Sequence, residues 1–215
     1  MRQDIEDFRQ ERQIPYFLHF TRSENLPSIL EHGLRPRAEL DAGDCCGVTN
    51  DHHRLDGRRE YNCLSATFPN STMFYRFRMD NPGSEWPILV IHPRIISVRE
   101  TLFCWRNAAS NDISCKEENQ LSSLAAFQNL FAELDGYESR AEQQLKINDP
   151  TDVQAEFLVK GVIPPKAIYC VIFPDVPSQQ KYAEAVGERQ SIVSSRRGFY
   201  GTREYYRKWG HGKNG

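Results

Sequence analysis

A single carboxylate stands at the start of a short apolar run in the last third of the chain. Glu156 directly precedes Phe157, Leu158 and Val159, whose composition predicts a short buried strand. Burying an unpaired carboxylate beside such a strand is costly because the group loses its solvation. A glutamate that turns to solvent at the strand end is the structural alternative, whereas a carboxylate kept for chemistry is the functional one. A second motif favours the functional interpretation.

The second motif lies in residues 16–34. Residues 16–20 (Tyr-Phe-Leu-His-Phe) predict a buried strand, which ends in His19-Phe20-Thr21. A helix is expected to follow at once, with Ser23 as its N-cap and Gly33 as its end. Such a strand end leaves backbone groups at His19 that can pair with a planar carboxamide, and nicotinamide is such a group. A histidine that makes only structural hydrogen bonds is the alternative.

The bulk composition is that of a globular protein with one core. The chain has 215 residues, 39% apolar and 26% charged, with a formal net charge of −2. No run approaches the roughly 18 consecutive apolar residues of a membrane span. The N-terminus alternates charges where a secretory signal would be apolar, so we expect a cytoplasmic protein with reduced thiols.

The six cysteines have no regular spacing, which argues against a disulfide framework. Cys45, Cys46, His52 and His53 form the one cluster that suggests zinc. It lacks a Cys-x2-Cys pair and a matching second half, so we expect no metal.

The C-terminal end is basic and rich in aromatic residues. Basic residues outnumber acidic ones from Lys181 onward, and they are interleaved with Phe199, Tyr200, Tyr205, Tyr206 and Trp209. Cations that meet phosphates and rings that stack on bases have this composition. The alternative is a tail whose aromatics pack back on the domain. We expect a domain over residues 1–177 and a basic aromatic extension over 178–215.

The remaining pattern predicts about six strands with helices between or beside them. Strands are expected over 62–66, 87–92, 156–159 and 167–173, and a further strand is expected over 95–103. Helices are expected over 2–13, 71–78 and 121–134. Residues 38–60 lack periodicity and predict a long functional loop. The glycine-rich phosphate loops of Walker and Rossmann type are absent from the sequence, so the fold class is α+β or mixed α/β.

The order of these motifs resembles the DarT family of nucleic-acid ADP-ribosyltransferases. The resemblance spans roughly residues 16–173. It rests on His19-Phe20-Thr21 with Asn25-Leu26 and Gly33-Leu34, on the 65–75 stretch that ends in Met73-Phe74-Tyr75, and on Ala155-Glu156-Phe157-Leu158-Val159.

This resemblance implies an α+β ADP-ribosyltransferase fold, a split mixed sheet with NAD in its central cleft. It also implies transfer of ADP-ribose to a base in single-stranded DNA. Cleaving the nicotinamide glycosidic bond develops positive charge on the ribose, and a carboxylate stabilises that charge most in the transition state. Glu156 is the candidate for this role, and for removing a proton from the attacking base.

The resemblance assigns His19, Phe20 and Thr21 to nicotinamide and its ribose, and Ser28 to the dinucleotide along the helix. An arginine in the following loop is expected to hold the pyrophosphate and orient the reaction, because a guanidinium donates two parallel hydrogen bonds. Arg54 is the choice for this catalytic and NAD-binding role, whereas Arg58-Arg59 is interpreted as a solvated charge run.

On the acceptor side, Gln154 lies two residues before Glu156, where its amide could both donate to and accept from a base edge. Tyr75, at the end of the 65–75 stretch, is also assigned to the substrate. The Arg54 loop departs from that of thymine-modifying relatives, which favours guanine over thymine as the acceptor.

Three other functions stay open from the sequence. The same machinery could modify single-stranded RNA, since only the 2′-hydroxyl distinguishes the strands. Protein ADP-ribosylation is disfavoured by the basic aromatic end. A non-catalytic nucleic-acid-binding module would make Glu156 structural. The family resemblance further implies a monomeric toxin with a cognate macrodomain antitoxin that reverses the modification.

Overall fold

The computed structural model describes residues 1–42 and 57–209. In these residues seven strands form one sheet, and short helices cover it. The strands are β1 Phe17–Phe20, β2 Tyr61–Ala66, β3 Ile88–Ile91, β4 Thr101–Cys104, β5 Glu156–Lys160, β6 Ile168–Phe173 and β7 Gln190–Val193. The helices are α1 Gln3–Glu11, α2 Leu26–His32, α3 Arg37–Ala42, α4 Ser71–Asp80, α5 Ile95–Val98, α6 Asn111–Ser114, α7 Glu118–Leu121, α8 Leu124–Asn129, α9 Val176–Lys181, α10 Ala183–Val186 and α11 Arg203–Trp209.

The strand order is β4-β5-β2-β1-β3-β6-β7. Neighbouring strands are antiparallel except β6 and β7, which run parallel, so the sheet is mixed. The α+β prediction is therefore confirmed.

Strand formation follows the apolar runs. Every residue of β3 and β4 is buried, and β5 is buried up to its last residue. Aliphatic, β-branched and aromatic side chains fit such a surface covered on both faces. On one face the main core contains a packed aromatic group, in which Phe103 and Phe127 stack with ring centroids 4.6 Å apart. This core is the rigid support behind the middle of the sheet.

Two smaller apolar clusters cover the opposite face. One surrounds Leu18, Phe74 and Trp86 beside β1 and β3. The other surrounds Tyr61, Leu102 and other residues beside β2, β4 and β5. Ser65 of β2 and Glu156 of β5 are buried polar residues that belong to neither cluster.

Several local predictions were wrong. The expected strand over 95–103 is right only at its end: Ile95–Val98 forms the helix α5, and the strand β4 begins at Thr101. The expected 38–60 loop begins within a helix, α3. Ser23 caps no helix with its side chain; it starts a 3-10 turn over Ser23–Asn25, and α2 begins after Asn25. The other local predictions of strands are right in place, with ends that shift by one or two residues.

The chain remains ordered beyond β6. Helices α9 and α10 lead to β7, which extends the sheet beside β6, and α11 follows. Arg203 and Arg207 are buried, and so is Tyr200. For these three residues the structure therefore supports the alternative in which the C-terminal tail packs back on the domain. The boundary at residue 177 remains a prediction.

Within the described ranges, no helix is both long and apolar enough to cross a membrane. The same ranges hold no group of three or more His, Cys, Asp and Glu side chains arranged to bind a metal ion. The cluster of Cys45, Cys46, His52 and His53 lies outside the described residues.

Candidate active site

The sheet splits at its centre, where β2 changes neighbours. β2 pairs with β5 as far as Leu64, which lies opposite Phe157. Its last two residues pair with β1 instead, and Ser65 there lies opposite Leu18. On its other edge, β1 pairs with β3 along its whole length. The first half of β2 is therefore not paired with β1, and the sheet is split between them.

Glu156 lies in a row of side chains that crosses this split. β4 pairs Cys104 with Glu156, and extending the β2–β5 register by one residue sets Ser65 on the other side of Glu156. Ser65 in turn pairs with Leu18. Because paired residues of neighbouring strands share a face, all four side chains point the same way. Leu18 and Cys104 belong to the two apolar clusters, so the two polar residues lie between them.

The carboxylate of Glu156 is nearly enclosed, with 5% of the residue exposed. Its Oε2 accepts a hydrogen bond of 2.8 Å from the backbone N–H of Ala108, in the segment that follows β4. An amide donor partly replaces the lost solvation and fixes the orientation of the group. A buried, oriented carboxylate can stabilise a developing positive charge more strongly than one in water.

Ser65 is linked to the start of α4. The backbone N–H of Asn70 donates to Ser65 Oγ at 3.1 Å, while Asn70 Oδ1 accepts from the N–H of Met73 and caps α4. The side-chain nitrogen of Asn70 is buried and has no partner among the described residues. The sequence analysis did not single out Asn70, although an asparagine just before a helix is a recognisable N-cap.

The predicted nicotinamide segment lies at the end of β1, beside the split. His19 Nδ1 donates to the carbonyl of Cys63 at 2.9 Å, which ties β1 to β2 where their pairing ends. Phe20 is half-buried and stacks on Phe74 of α4, with ring centroids 4.7 Å apart. Thr21 is buried. These three residues thus lie at the end of β1, beside the split of the sheet.

The other predicted residues lie at varied depths. Ser28 is exposed on α2, and Tyr75 is exposed on α4. Gln154 is half-buried, and its backbone N–H donates to Asp152 Oδ1 at 2.8 Å. Arg54 lies outside the described residues. Its assignment to the pyrophosphate therefore stays a prediction.

The interpretation of Arg58-Arg59 as a solvated charge run is wrong for the first of the pair. Arg58 is buried, and its Nη2 donates to the carbonyls of Lys116, at 2.9 Å, and Ile113, at 3.4 Å. Arg59 is exposed and pairs with Asp41. Arg58 therefore anchors the start of β2 to the segment around α6 through hydrogen bonds from one guanidinium nitrogen to two backbone carbonyls.

A split mixed sheet flanked by helices is the fold that the resemblance to ADP-ribosyltransferases implies. A family model described as "ssDNA thymidine ADP-ribosyltransferase, DarT" matches residues 18–200. The chain belongs to this DarT family. No curated protein sequence matches it.

Solved structures of the family share the fold. Thermosipho africanus DarTG in complex with ADP-ribose has a TM-score of 0.60 and 20% identity, over 86% of this chain and 51% of that one. Thermus sp. 2.9 DarT in complex with ADP-ribosylated ssDNA has a TM-score of 0.56 and 13% identity, over 85% of this chain and 95% of that one. Thermus sp. 2.9 DarT in complex with carba-NAD+ has a TM-score of 0.53 and 14% identity, over 84% and 95%. The chain spans about half the length of the Thermosipho protein.

Proposed function

We propose that this protein transfers ADP-ribose from NAD to a base in single-stranded DNA. The observation that carries the proposal is Glu156, a buried carboxylate beside the split of the sheet, held by the Ala108 amide at 2.8 Å. Membership in the DarT family supports it. So does the likeness to a Thermus DarT solved with ADP-ribosylated ssDNA.

The chemistry asked of Glu156 follows from its surroundings. Loss of nicotinamide leaves positive charge on the ribose, and a carboxylate in a site with little water stabilises that charge. The Ala108 amide orients one carboxylate oxygen before the reaction begins, so little reorganisation is needed. The same carboxylate would accept the proton that the attacking base nitrogen must lose.

The residues around the split fit a dinucleotide. His19, Phe20 and Thr21 would hold the nicotinamide and its ribose, Ser28 would lie along the dinucleotide, and Arg54 would hold the pyrophosphate. The buried side-chain nitrogen of Asn70 supports this fit, because it is a donor beside the split without a partner among the described residues. Buried donors are normally satisfied, and an oxygen of the bound substrate would satisfy this one.

The acceptor strand would contact Gln154 and Tyr75. Gln154 is half-buried two residues before Glu156, and Tyr75 exposes its ring on α4, where a base can stack on it. The sequence of the Arg54 loop favours guanine as the acceptor base, whereas the description of the matching family model names thymidine. The choice between these bases is therefore a matter for direct measurement.

A protein that modifies DNA would damage its own cell. We therefore propose that it acts as the toxin of a toxin–antitoxin pair, with a macrodomain antitoxin as its partner. A cytoplasmic location and a monomeric state complete this proposal, and both rest on the sequence.

Mass spectrometry of oligonucleotides tests the proposal. Single-stranded DNA and RNA oligonucleotides, each with one type of reactive base, are incubated with NAD and the protein. A gain of one ADP-ribose on one base type of DNA supports the proposal and identifies the acceptor. An adduct on RNA alone moves the substrate to RNA, and no adduct on any strand favours a protein target or a non-catalytic binding module.

A further inference from the structure

Helix α11 is held in the fold by two buried arginines, one turn apart. Arg207 binds the carboxylate of Asp149 through both ends of its guanidinium, Nε to Oδ2 at 2.7 Å and Nη2 to Oδ1 at 2.6 Å. The two side chains are 5% and 0% exposed. Helix α11 lies beyond residue 200, where the match to the family model ends. This ion pair therefore involves a part of the chain outside the matched range.

The arginines fix the segment that leads to Glu156. Arg203 donates to the carbonyls of Pro150, at 2.6 Å, and Thr151, at 2.9 Å. Asp149 lies in the same segment, so three consecutive residues are bound to α11. The bidentate geometry fixes orientation as well as distance. Glu156 begins β5 only five residues after Thr151, so its position depends on this segment.

The carboxylate of Asp149 also binds the turn that follows Ser65. Asp149 Oδ1 accepts a hydrogen bond of 2.7 Å from the hydroxyl of Thr67, two residues after Ser65. Thr67 has a φ of 59°, in the left-handed region that a β-branched residue rarely adopts. Such strain persists only where the surroundings hold it, and it is concentrated at functional sites. A backbone hydrogen bond of 2.6 Å from the N–H of Phe68 to the carbonyl of Ala66 closes the turn around Thr67, and Asp149 adds a bond to the Thr67 side chain.

A second contact of α11 supports the same turn. Tyr206 packs on Phe68, the residue after Thr67, with ring centroids 5.4 Å apart. The helix thus contacts both the turn after Ser65 and the segment before Glu156.

We infer that Asp149, held by Arg207, is a positioning residue that sets Ser65 and Glu156 relative to each other for the transfer reaction. The inference rests on the proposed function. The β2–β5 pairing ends at Leu64 and Phe157, one residue before Ser65 and Glu156. Beyond that end, Asp149 links the turn that follows Ser65 to the segment that leads into Glu156. Loosening the link lets the strained turn relax, which moves Ser65 relative to the Glu156 carboxylate and lowers the rate of transfer.

The test uses Thr67→Val and Arg207→Lys. The first variant is nearly isosteric and removes the hydroxyl without unpairing the ion pair; the second keeps the charge and loses the bidentate geometry. We measure kcat, the KM for NAD and for the oligonucleotide, and the thermal midpoint. The expected result is a fall in kcat of about tenfold for Thr67→Val, with the KM for NAD within about twofold, since small misplacements act on the transition state.

The matched control is Glu6→Gln, which disrupts another buried ion pair, between Glu6 and Arg9 on α1. It is expected to lower the thermal midpoint and leave kcat unchanged at temperatures where the protein is folded. The inference is overturned if Thr67→Val and Arg207→Lys both have the kcat of the wild type, or if Glu6→Gln lowers kcat as much as they do. In either case the active wild-type protein still supports the proposed function. A wild-type protein without transferase activity overturns both.

Discussion

The stability of α1 in the fold depends on one ionised side chain, Glu6. Arg9 donates to both of its oxygens, at 2.7 and 3.1 Å, and Gln10 and Ser97 each add a hydrogen bond of 3.0 Å. The Arg9 hydrogen bonds lower the pKa of Glu6 from 4.5 to about 2, against the opposing effect of burial. The ionised form is therefore favoured in the folded protein more than in the unfolded chain.

The size of the effect follows from the two pKa values. The difference between 4.5 and about 2 corresponds to about 3 kcal/mol of folding stability at neutral pH. Because the folded-state pKa is the lower one, this stability is present above about pH 4.5 and is lost as the pH falls toward 2. At pH 3 about 1 kcal/mol should remain.

Urea unfolding of the wild type and Glu6→Gln at pH 7 and pH 3 measures the contribution of ionised Glu6 to the free energy of unfolding. The variant should be less stable by about 3 kcal/mol at pH 7 and by about 1 kcal/mol at pH 3. Asp7→Asn, on the exposed side of the same helix, is the control and should change stability by less than about 0.5 kcal/mol at pH 7. A Glu6→Gln difference that is equal at both pH values would refute the reasoning.

Three further outcomes are expected. Gly33→Ala should destabilise the fold by more than about 2 kcal/mol in urea unfolding, because Gly33 has a φ of 93° and an added Cβ would lie 2.5 Å from a backbone oxygen. Gly83→Ala is the control and should be nearly neutral, because no atom lies within 4 Å of a Cβ added there. Tyr200→Phe should cost about 1–3 kcal/mol in the same assay, because its buried hydroxyl lies 2.7 and 3.0 Å from two backbone carbonyls; an unchanged midpoint would contradict this. Replacing the exposed Arg196 and Arg197 by Ala should weaken single-strand binding and reduce its salt slope by up to about 2, and an unchanged slope would exclude phosphate contacts at both.

The strands with strong apolar patterns were predictable from the sequence. β3 and β5 are buried along almost their whole length, so their composition is sufficient to predict them. β7 was missed because it is largely exposed at the sheet edge and lacks a strong pattern. The run Ile95–Val98 has β-branched residues typical of a strand, yet it forms one helical turn against α1. Tertiary packing decided the structure there.

The site was predictable only in part. Glu156 is visible in the sequence as a charge beside an apolar run, but its neighbours Ser65 and Cys104 follow from the strand order, which no local pattern gives. The burial of Arg207 depends on Asp149, 58 residues earlier in the chain. A basic residue among aromatics therefore has the same sequence pattern whether it binds DNA or the protein's own core.

The catalytic role proposed for the buried carboxylate of Glu156 is tested most directly by one paired measurement. Wild type and Glu156→Gln are incubated with NAD and single-stranded DNA, adducts are measured by mass spectrometry, and NAD binding is measured by calorimetry. A glutamine can still accept from the Ala108 amide, so the variant should bind NAD within a few-fold of the wild type yet form at least about a hundredfold less ADP-ribosylated DNA. Equal adduct formation by Glu156→Gln and the wild type would contradict the assignment of Glu156 as the catalytic carboxylate.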